Sequence, residues 1–530
     1  MATTSHRKIS AADDYENTGQ PPTTAASVHH SIKDDDYTSS TESLIKNHNT
    51  GISHHQKGHD SSEFTPKGSI ELLPFILLNI YSLFVSAAYR IFSPLIEQYI
   101  YQRYSTALLG NASEQTSSQP CVNQTSGNST ADQLTQAIQD MSSELMLNLS
   151  LISACLGIMG CLLIGAISTL VSRNFLLALP TFCCMVKNAL LPVIVFWNLD
   201  LKFLYVGYAV EGLGGNIAGC FIVTHLYLSD LTPRDHRRTV WLSFLEGAKG
   251  VVSGILYYAT GQLIVSTGYL IPSLMSAGFM AISLILSFCL PDRRPSLTHG
   301  REGWSMRTYL KNVTSPFHKT LERRVKQMVG LALFSFFVYI GALVGISKVK
   351  SLYLMNNPFC WDAVKIGWFQ TGQEIAYSLF VILAVPLLIG RLPGMVLGVL
   401  GTLSAVGSSV MFALASNDAE IYSIILLSIG QTLPVGIIRG ETSRLIGAEP
   451  QGSLFALMGV CESISFAVGA PALSLYRASL GVYRGLTYLV IAGFFVVVTV
   501  TLSIYHVIWR AHTNAVTSKE MVVKTYGSVN

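Results

Sequence analysis

The stretch WLSFLEGAKGVVSGILYYATGQL, residues 241–263, is long and apolar enough to cross a membrane, yet it holds Glu246 and Lys249. A charged group inside a bilayer costs from about 3 kcal/mol upward, so it faces a water-filled cavity or a partner. The polar residues of this stretch fall at Glu246, Lys249, Ser253, Tyr257 and Thr260. Intervals of three and four place them on one stripe of a helix whose other face is Val, Leu, Ile and Ala. An acid and a base so spaced allow three chemistries. Glu246 can bind and release a proton as a cavity opens to each side. The two can neutralise one another as a structural pair that never titrates. Alternatively, Lys249 attracts an anionic substrate and leaves Glu246 free when that substrate binds.

Other ionisable and polar residues sit in apolar surroundings. Gln370, Glu374 and Tyr377 form a second stripe at four-then-three spacing, expected to face the same cavity. Arg439 can meet an anionic solute, reach the interface, or pair with Glu462. Lys348 and Lys350 end an apolar stretch and are expected to anchor it at the interface. His225 can titrate near neutral pH, although a packed, hydrogen-bonded histidine is the plainer reading.

The elements that must position these residues follow from composition. The 530-residue chain is 50% hydrophobic and 12% charged, where a soluble protein carries about twice that charged fraction. Apolar stretches of membrane-crossing length begin near Leu72, Leu145, Phe175, Leu201, Val240, Tyr269, Met328, Val364, Met395, Ile421, Leu454 and Leu486. Backbone groups in lipid must be satisfied internally, so these are twelve predicted helices. Those near Leu201 and Ile421 are the shortest or most interrupted. The glycine runs GLGGNIAG and GAKGVVSG put small residues at i and i+4, which favours close helix packing.

The predicted organisation is a polar tail (1–70), a six-helix half (71–290), a basic linker (291–327), a second six-helix half (328–510) and a terminal tail (511–530). The linker and the segment TPRDHRRT are rich in arginine, whereas the predicted loop 97–143 has Arg103 as its one basic residue. Positive residues stay inside, so the linker, the TPRDHRRT segment and both termini are expected in the cytoplasm and 97–143 outside. That loop carries the sequons of Asn111, Asn123 and Asn128, expected to be glycosylated, while the sequon of Asn312 should stay bare. Histidines in SVHHS and ISHHQKGHD can bind a metal weakly, but a solvated tail is the plainer reading. Most of the nine cysteines lie inside spans; Cys121 and Cys360 lie in polar, outward segments where an oxidising compartment permits a disulfide.

Two six-helix halves joined by a long basic loop are the plan of the major facilitator superfamily, with the substrate site near the midplane between halves. The halves also echo one another weakly: SDLTPRDHRRTVWLSFLEG and SRLIGAEPQGSLFALMGVCES each run from a polar turn into an apolar helix bearing Glu246 or Glu462. SLYLMNNPFCWDAVKIGW, EPQGSLFALMG, RRTVWLSFLEG and IIRGETSRLI, in that family's sense, resemble segments of the proton-coupled folate transporter family of solute carriers, which includes the thymic stromal cotransporter and lysosomal relatives. The resemblance spans roughly residues 70 to 510. It implies a proton-driven symporter for an organic anion, with Glu246 as coupling glutamate, Arg439 as the tenth-span arginine, and Cys121 and Cys360 as joined loop cysteines.

Three departures qualify that implication. The cytoplasmic turn GAISTLVSRN keeps Gly165 and Arg173 of the superfamily pattern but has Thr169, Ser172 and Asn174 at other key places, so its ion pairs must differ. Leu343 stands where the folate transporter has a histidine, and Lys249 where an apolar residue is expected.

The expected function is therefore secondary active transport of an organic anion across the bilayer, first of all by proton symport. A proton-independent facilitator and a non-transporting membrane sensor on the same fold are the alternatives, with a membrane-embedded enzyme a distant third. No nucleotide-binding motif occurs in the sequence, and no cofactor, metal or nucleic-acid partner is expected. The plasma membrane and the endosomal or lysosomal membrane both remain open as locations; YGSV at Tyr526 has the shape of a tyrosine sorting signal.

Overall fold

The computed structural model describes residues 71–109, 129–168, 170–292, 322–355, 358–361, 363–446, 451–479 and 482–527. The polar N-terminal tail, Asn111, Cys121, Asn123, Asn128, Thr169 and Asn312 lie outside the described residues. Fourteen α-helices account for nearly all of the described chain. The first half holds α1 (Leu72–Leu109), α2 (Ser129–Ile167), α3 (Arg173–Trp197), α4 (Leu204–Leu213), α5 (Asn216–Leu231), α6 (His236–Thr267) and α7 (Leu270–Cys289). The second holds α8 (Arg323–Met355), α9 (Ala363–Leu388), α10 (Gly394–Leu414), α11 (Asp418–Leu427), α12 (Leu433–Leu445), α13 (Gln451–Ser479) and α14 (Leu486–Gly527).

Ten helical stretches are long and apolar enough to cross a membrane among the described residues, with α4 and α5 counted as one. The pair α11–α12 and the polar-striped α6 complete an architecture consistent with twelve spans. The interrupted spans are the two that the sequence marks as least regular. The first breaks at Gly214 and Gly215, where Gly215 takes φ +81°, a left-handed conformation that costs glycine least. The second breaks between Leu427 and Leu433, and Pro434 restarts the helix in its first turn. Both breaks fall at the fourth span of their half, and paired interruptions of this kind mark binding regions in transporters built from repeats.

The halves meet along two seams. On one, Gly247 and Gly254 of α6 bring the backbone against Ile382 and Ile375 of α9, leaving no room for a side chain. On the other, α13 lies along α2 and α5: Cys161 is 3.5 Å from the Ser463 hydroxyl, and Asn216 donates to that hydroxyl at 3.2 Å. The GAKGVVSG and GLGGNIAG runs thus do the packing expected of them.

One end of the bundle carries Arg173, Arg238 and Arg444. There Arg238 donates to Ser443 at 3.2 Å, Thr239 to Glu441 at 2.9 Å, and Ser229 to Gln451 at 3.0 Å, all between halves. Arg173, retained from the superfamily turn, pairs with Asp230 at 2.8 Å and donates to the carbonyl of Ser168 at 2.5 Å. At the opposite end Lys348 bridges to Glu97 at 2.7 Å and Arg477 to Asp140 at 3.4 Å, again between halves. Lys348, expected as an interfacial anchor, is thus a cross-half partner.

Helix ends differ from the expected boundaries. The segment 97–143, expected as a loop, is helical up to Leu109 and again from Ser129. The terminal segment from 511 continues α14 to Gly527. Polarity marks where a chain leaves lipid, but a helix continues into water until glycine, proline or lost packing ends it.

Candidate functional site

Glu246 reaches the site on α6, whose start is fixed by Asp235, an N-cap accepting from the Arg237 amide. One Glu246 oxygen, Oε1, gathers three nitrogens. Lys249 Nζ lies at 2.9 Å, His225 Nε2 at 2.8 Å, and Arg439 donates to it through Nη1. The other terminal nitrogen of Arg439 donates to Glu462. These five groups come from α5, α6, α12 and α13, so the cluster spans both halves and draws His225 and Arg439 from the second helix of each broken span.

Aromatic rings wall the cluster. The Lys249 ammonium stands 4.1 Å from the Phe221 ring centroid, and the Arg439 guanidinium 5.0 Å from that of Phe336. The His225 ring stacks on Phe455 with centroids 6.2 Å apart and planes 22° apart. The side chains of His225 and Arg439 are 1% and 3% exposed, against 17% for Glu246. Glu246 is therefore the member that water reaches most easily.

The histidine geometry carries a chemical constraint. Nδ1 of His225 lies 2.5 Å from the carbonyl oxygen of Phe221. A carbonyl can only accept, so Nδ1 carries a hydrogen. A neutral imidazole would then present a bare lone pair at Nε2, aimed at a carboxylate oxygen 2.8 Å away. That contact holds only when a proton lies between the two atoms, on His225 or on Glu246. Without it, Nε2 has another donor in reach, since Arg439 Nη1 stands 3.4 Å away.

A second polar group forms further along α6. Arg90 of α1 donates to the Tyr257 hydroxyl at 2.8 Å. Glu374 lies within electrostatic reach of both Arg90 and Tyr377. Lys350 donates to Gln373 at 2.8 Å, and Gln370 donates to Ser351 at 3.1 Å. Ser253 turns its hydroxyl onto the Lys249 carbonyl at 2.7 Å.

The structure thus divides the expected site residues. Glu246, Lys249, Arg439 and Glu462 meet in one cluster, Tyr257, Glu374 and Tyr377 gather around Arg90, and Gln370 and Ser253 bond elsewhere. Nothing in the sequence marks Arg90 as a site residue, and it marks His225 as a titrating group or, more plainly, a packed histidine without naming Glu246 as its partner. Cys360 is disulfide-bonded, at φ +48°; its expected partner Cys121 lies outside the described residues. Among the described residues no group of three or more His, Cys, Asp or Glu is arranged to hold a metal.

No protein-family model matches the chain. Curated relatives do. The rat proton-coupled folate transporter is 26% identical over 409 residues, covering 76% of this chain and 85% of its own. The bovine lysosomal proton-coupled steroid conjugate and bile acid symporter SLC46A3 is 23% identical over 461 residues, covering 82% and 94%. Among solved structures, the human organic anion transporter MFSD10 superposes with a TM-score of 0.61 at 14% identity, over 83% of this chain and all of that one. The outward conformation of the transporter FucP gives 0.59 at 15% identity, over 82% and 99%. In sequence the chain is a relative of the proton-coupled folate transporter family of solute carriers, and its fold is that of the major facilitator superfamily.

Proposed function

We propose that this multi-pass membrane protein is a secondary active transporter that carries an organic anion together with protons. The observation that supports it most is the His225–Glu246 contact, which needs a proton and lies on the seam between halves.

The charge balance gives the coupling. With a proton on the pair, the cluster holds Lys249, Arg439 and that added proton against two carboxylates, a net positive site for an anion. The proton belongs to the pair rather than to one residue. When it leaves, the His225–Glu246 contact turns repulsive and Nε2 accepts from Arg439 instead. Deprotonation brings the cluster's net charge from positive to zero, so it lowers the site's hold on the anion and redistributes the donors of Arg439, the link between the halves. Alternating access around a fixed site then couples the two fluxes.

The basic end faces the cytoplasm in this reading, with both termini there and the sequons of Asn111, Asn123 and Asn128 outside. The membrane is the plasma membrane or an endosomal or lysosomal one, and the name of the SLC46A3 relatives supports the lysosomal setting. Lys249 and Leu343 separate the chain from the folate transporter's pattern, and favour an anion other than folate.

The test is accumulation in proteoliposomes under an imposed pH gradient, with folate, a bile acid and a steroid sulfate as solutes. Uptake of at least one that collapses when an ionophore dissipates the gradient is the expected result. Binding without accumulation of any of them would point to a sensor on the same fold.

A further inference from the structure

A second buried ion pair lies away from Glu246, inside the first half. Lys187 of α3 donates to Glu211 of α4 at 2.5 Å, and their side chains are only 7% and 5% exposed. Ser153 donates to the other Glu211 oxygen at 3.3 Å. The Lys187 ammonium also sits 4.4 Å from the Phe92 ring centroid and 5.1 Å from that of Tyr208. Two charges withdrawn from water lose hydration that their mutual attraction barely restores, so such a pair is a poor device for stability alone.

The pair is not sealed in. It lines a cavity walled by α1 to α5 of the first half and by Val344, Lys348 and Phe466 of the second. The Glu97–Lys348 bridge borders this cavity, and its side chains are 45% and 41% exposed. Asn216, also in its wall, donates to Ser463, the neighbour of Glu462. The cavity thus has exposed charges at Glu97 and Lys348 and buried ones at Lys187 and Glu211. Its charged lining is Glu97 and Glu211 against Lys187 and Lys348, two of each sign, and its aromatic walls are Tyr89, Phe92, Tyr208 and Phe466.

A cavity so balanced has no net charge to draw in a simple anion. We propose that it binds a zwitterion, a molecule with an ammonium and a carboxylate on an aromatic body, at a site separate from the Glu246 cluster. The ligand's carboxylate meets Lys187 and its ammonium meets Glu211, so each protein charge exchanges one partner for another and none is left buried alone. A ligand with a single charge separates the pair and strands one member. The proposal stands apart from the transporter reading, because its test reads binding and needs no flux.

The experiment measures thermal stabilisation and affinity for the full-length purified protein with three probes: L-phenylalanine, its N-acetyl derivative (an anion) and its amide (a cation). L-phenylalanine should bind about tenfold more tightly than either congener, as a stranded buried charge implies. Lys187→Met makes the lining net negative and should shift preference to the amide. Glu211→Gln makes it net positive and should shift preference to the N-acetyl anion. Opposite shifts cannot come from a common folding defect. Glu246→Gln should keep the wild-type ranking whether or not it transports, which separates this site from the coupling reading. Overturning results are no response to any probe, equal responses, an anion preference in the wild type, or a ranking lost in Glu246→Gln.

Discussion

Arg439 donates to Glu246 through one terminal nitrogen and so joins α12 of the second half to α6 of the first, 193 residues away. Its other terminal nitrogen holds Glu462 of α13. One planar guanidinium thus serves one half-buried and one buried carboxylate at a fixed angle, which a lysine's point charge cannot reproduce.

Arg439→Gln should leave buried Glu462 and half-buried Glu246 with less cationic charge. Removing one partner of a buried ion pair costs about 3–5 kcal/mol, so the thermal unfolding midpoint should fall by several degrees and transport should be lost. The double variant Arg439→Gln/Glu462→Gln removes the stranded charge and should recover much of the stability without recovering transport. Differential scanning fluorimetry and uptake assays read the two effects separately. A single variant as stable as wild type would contradict the arrangement.

Closure at the basic end depends on small residues. A Cβ added at Gly440 would lie 2.7 Å from the Thr239 Cα, and one at Gly436 would lie 2.8 Å from the Ser243 Cα. Backbone atoms cannot step aside as a flexible side chain can. Gly440→Ala should therefore hold the halves apart at that end and raise the labelling rate of a cysteine placed at Ser443 by tenfold or so, on the scale of a population shift of about 1.4 kcal/mol. Unchanged labelling would mean that the contact is not a gate.

The opposite end carries a charge pair that should survive acid. Asp418 accepts from the Lys365 ammonium and from Trp361 Nε1 at 2.7 Å, and the Lys365 contact above all holds its carboxyl below the usual range. The folded-state pKa is depressed, so the stabilisation is present above the unfolded value, about 3.9, and is lost as pH falls through the folded one. Asp418→Asn should lower the unfolding midpoint by the same amount at about pH 7 and about pH 5, an acidic-compartment value, because both lie above that window. A difference that vanished already near pH 5 would contradict this assignment.

Cys360 is disulfide-bonded, and the family resemblance names Cys121 as its partner. Peptide mapping under non-reducing conditions should recover a Cys121–Cys360 linked pair that separates on reduction. Recovery of Cys121 as a free thiol would remove that tie and one support for the expected orientation.

Much of this was legible because it is periodic. Spans follow from apolar length, the Glu246–Lys249 pair from spacing on one helix, and the two broken spans from short or interrupted apolar runs. What was hidden lies between segments. Nothing near His225 announces Glu246 as its partner 21 residues on, because their contact depends on how α5 packs against α6. Lys187 and Glu211 are 24 residues apart on different helices, and each alone reads as a stray charge. Arg90 meets Tyr257 over 167 residues. The polar stripe of α6 was visible, but not its division between the Glu246 cluster and the Arg90 group, which is set by the neighbouring helices.

The central claim is that the proton shared by His225 and Glu246 moves with the solute. Its most direct test is proton flux measured with a pH-sensitive dye inside proteoliposomes on addition of the transported solute. Wild type should acidify the lumen as solute enters, and Glu246→Gln should exchange solute across the membrane with no accompanying pH change. Solute-driven acidification that persists in Glu246→Gln would contradict the account and reassign the proton to another group.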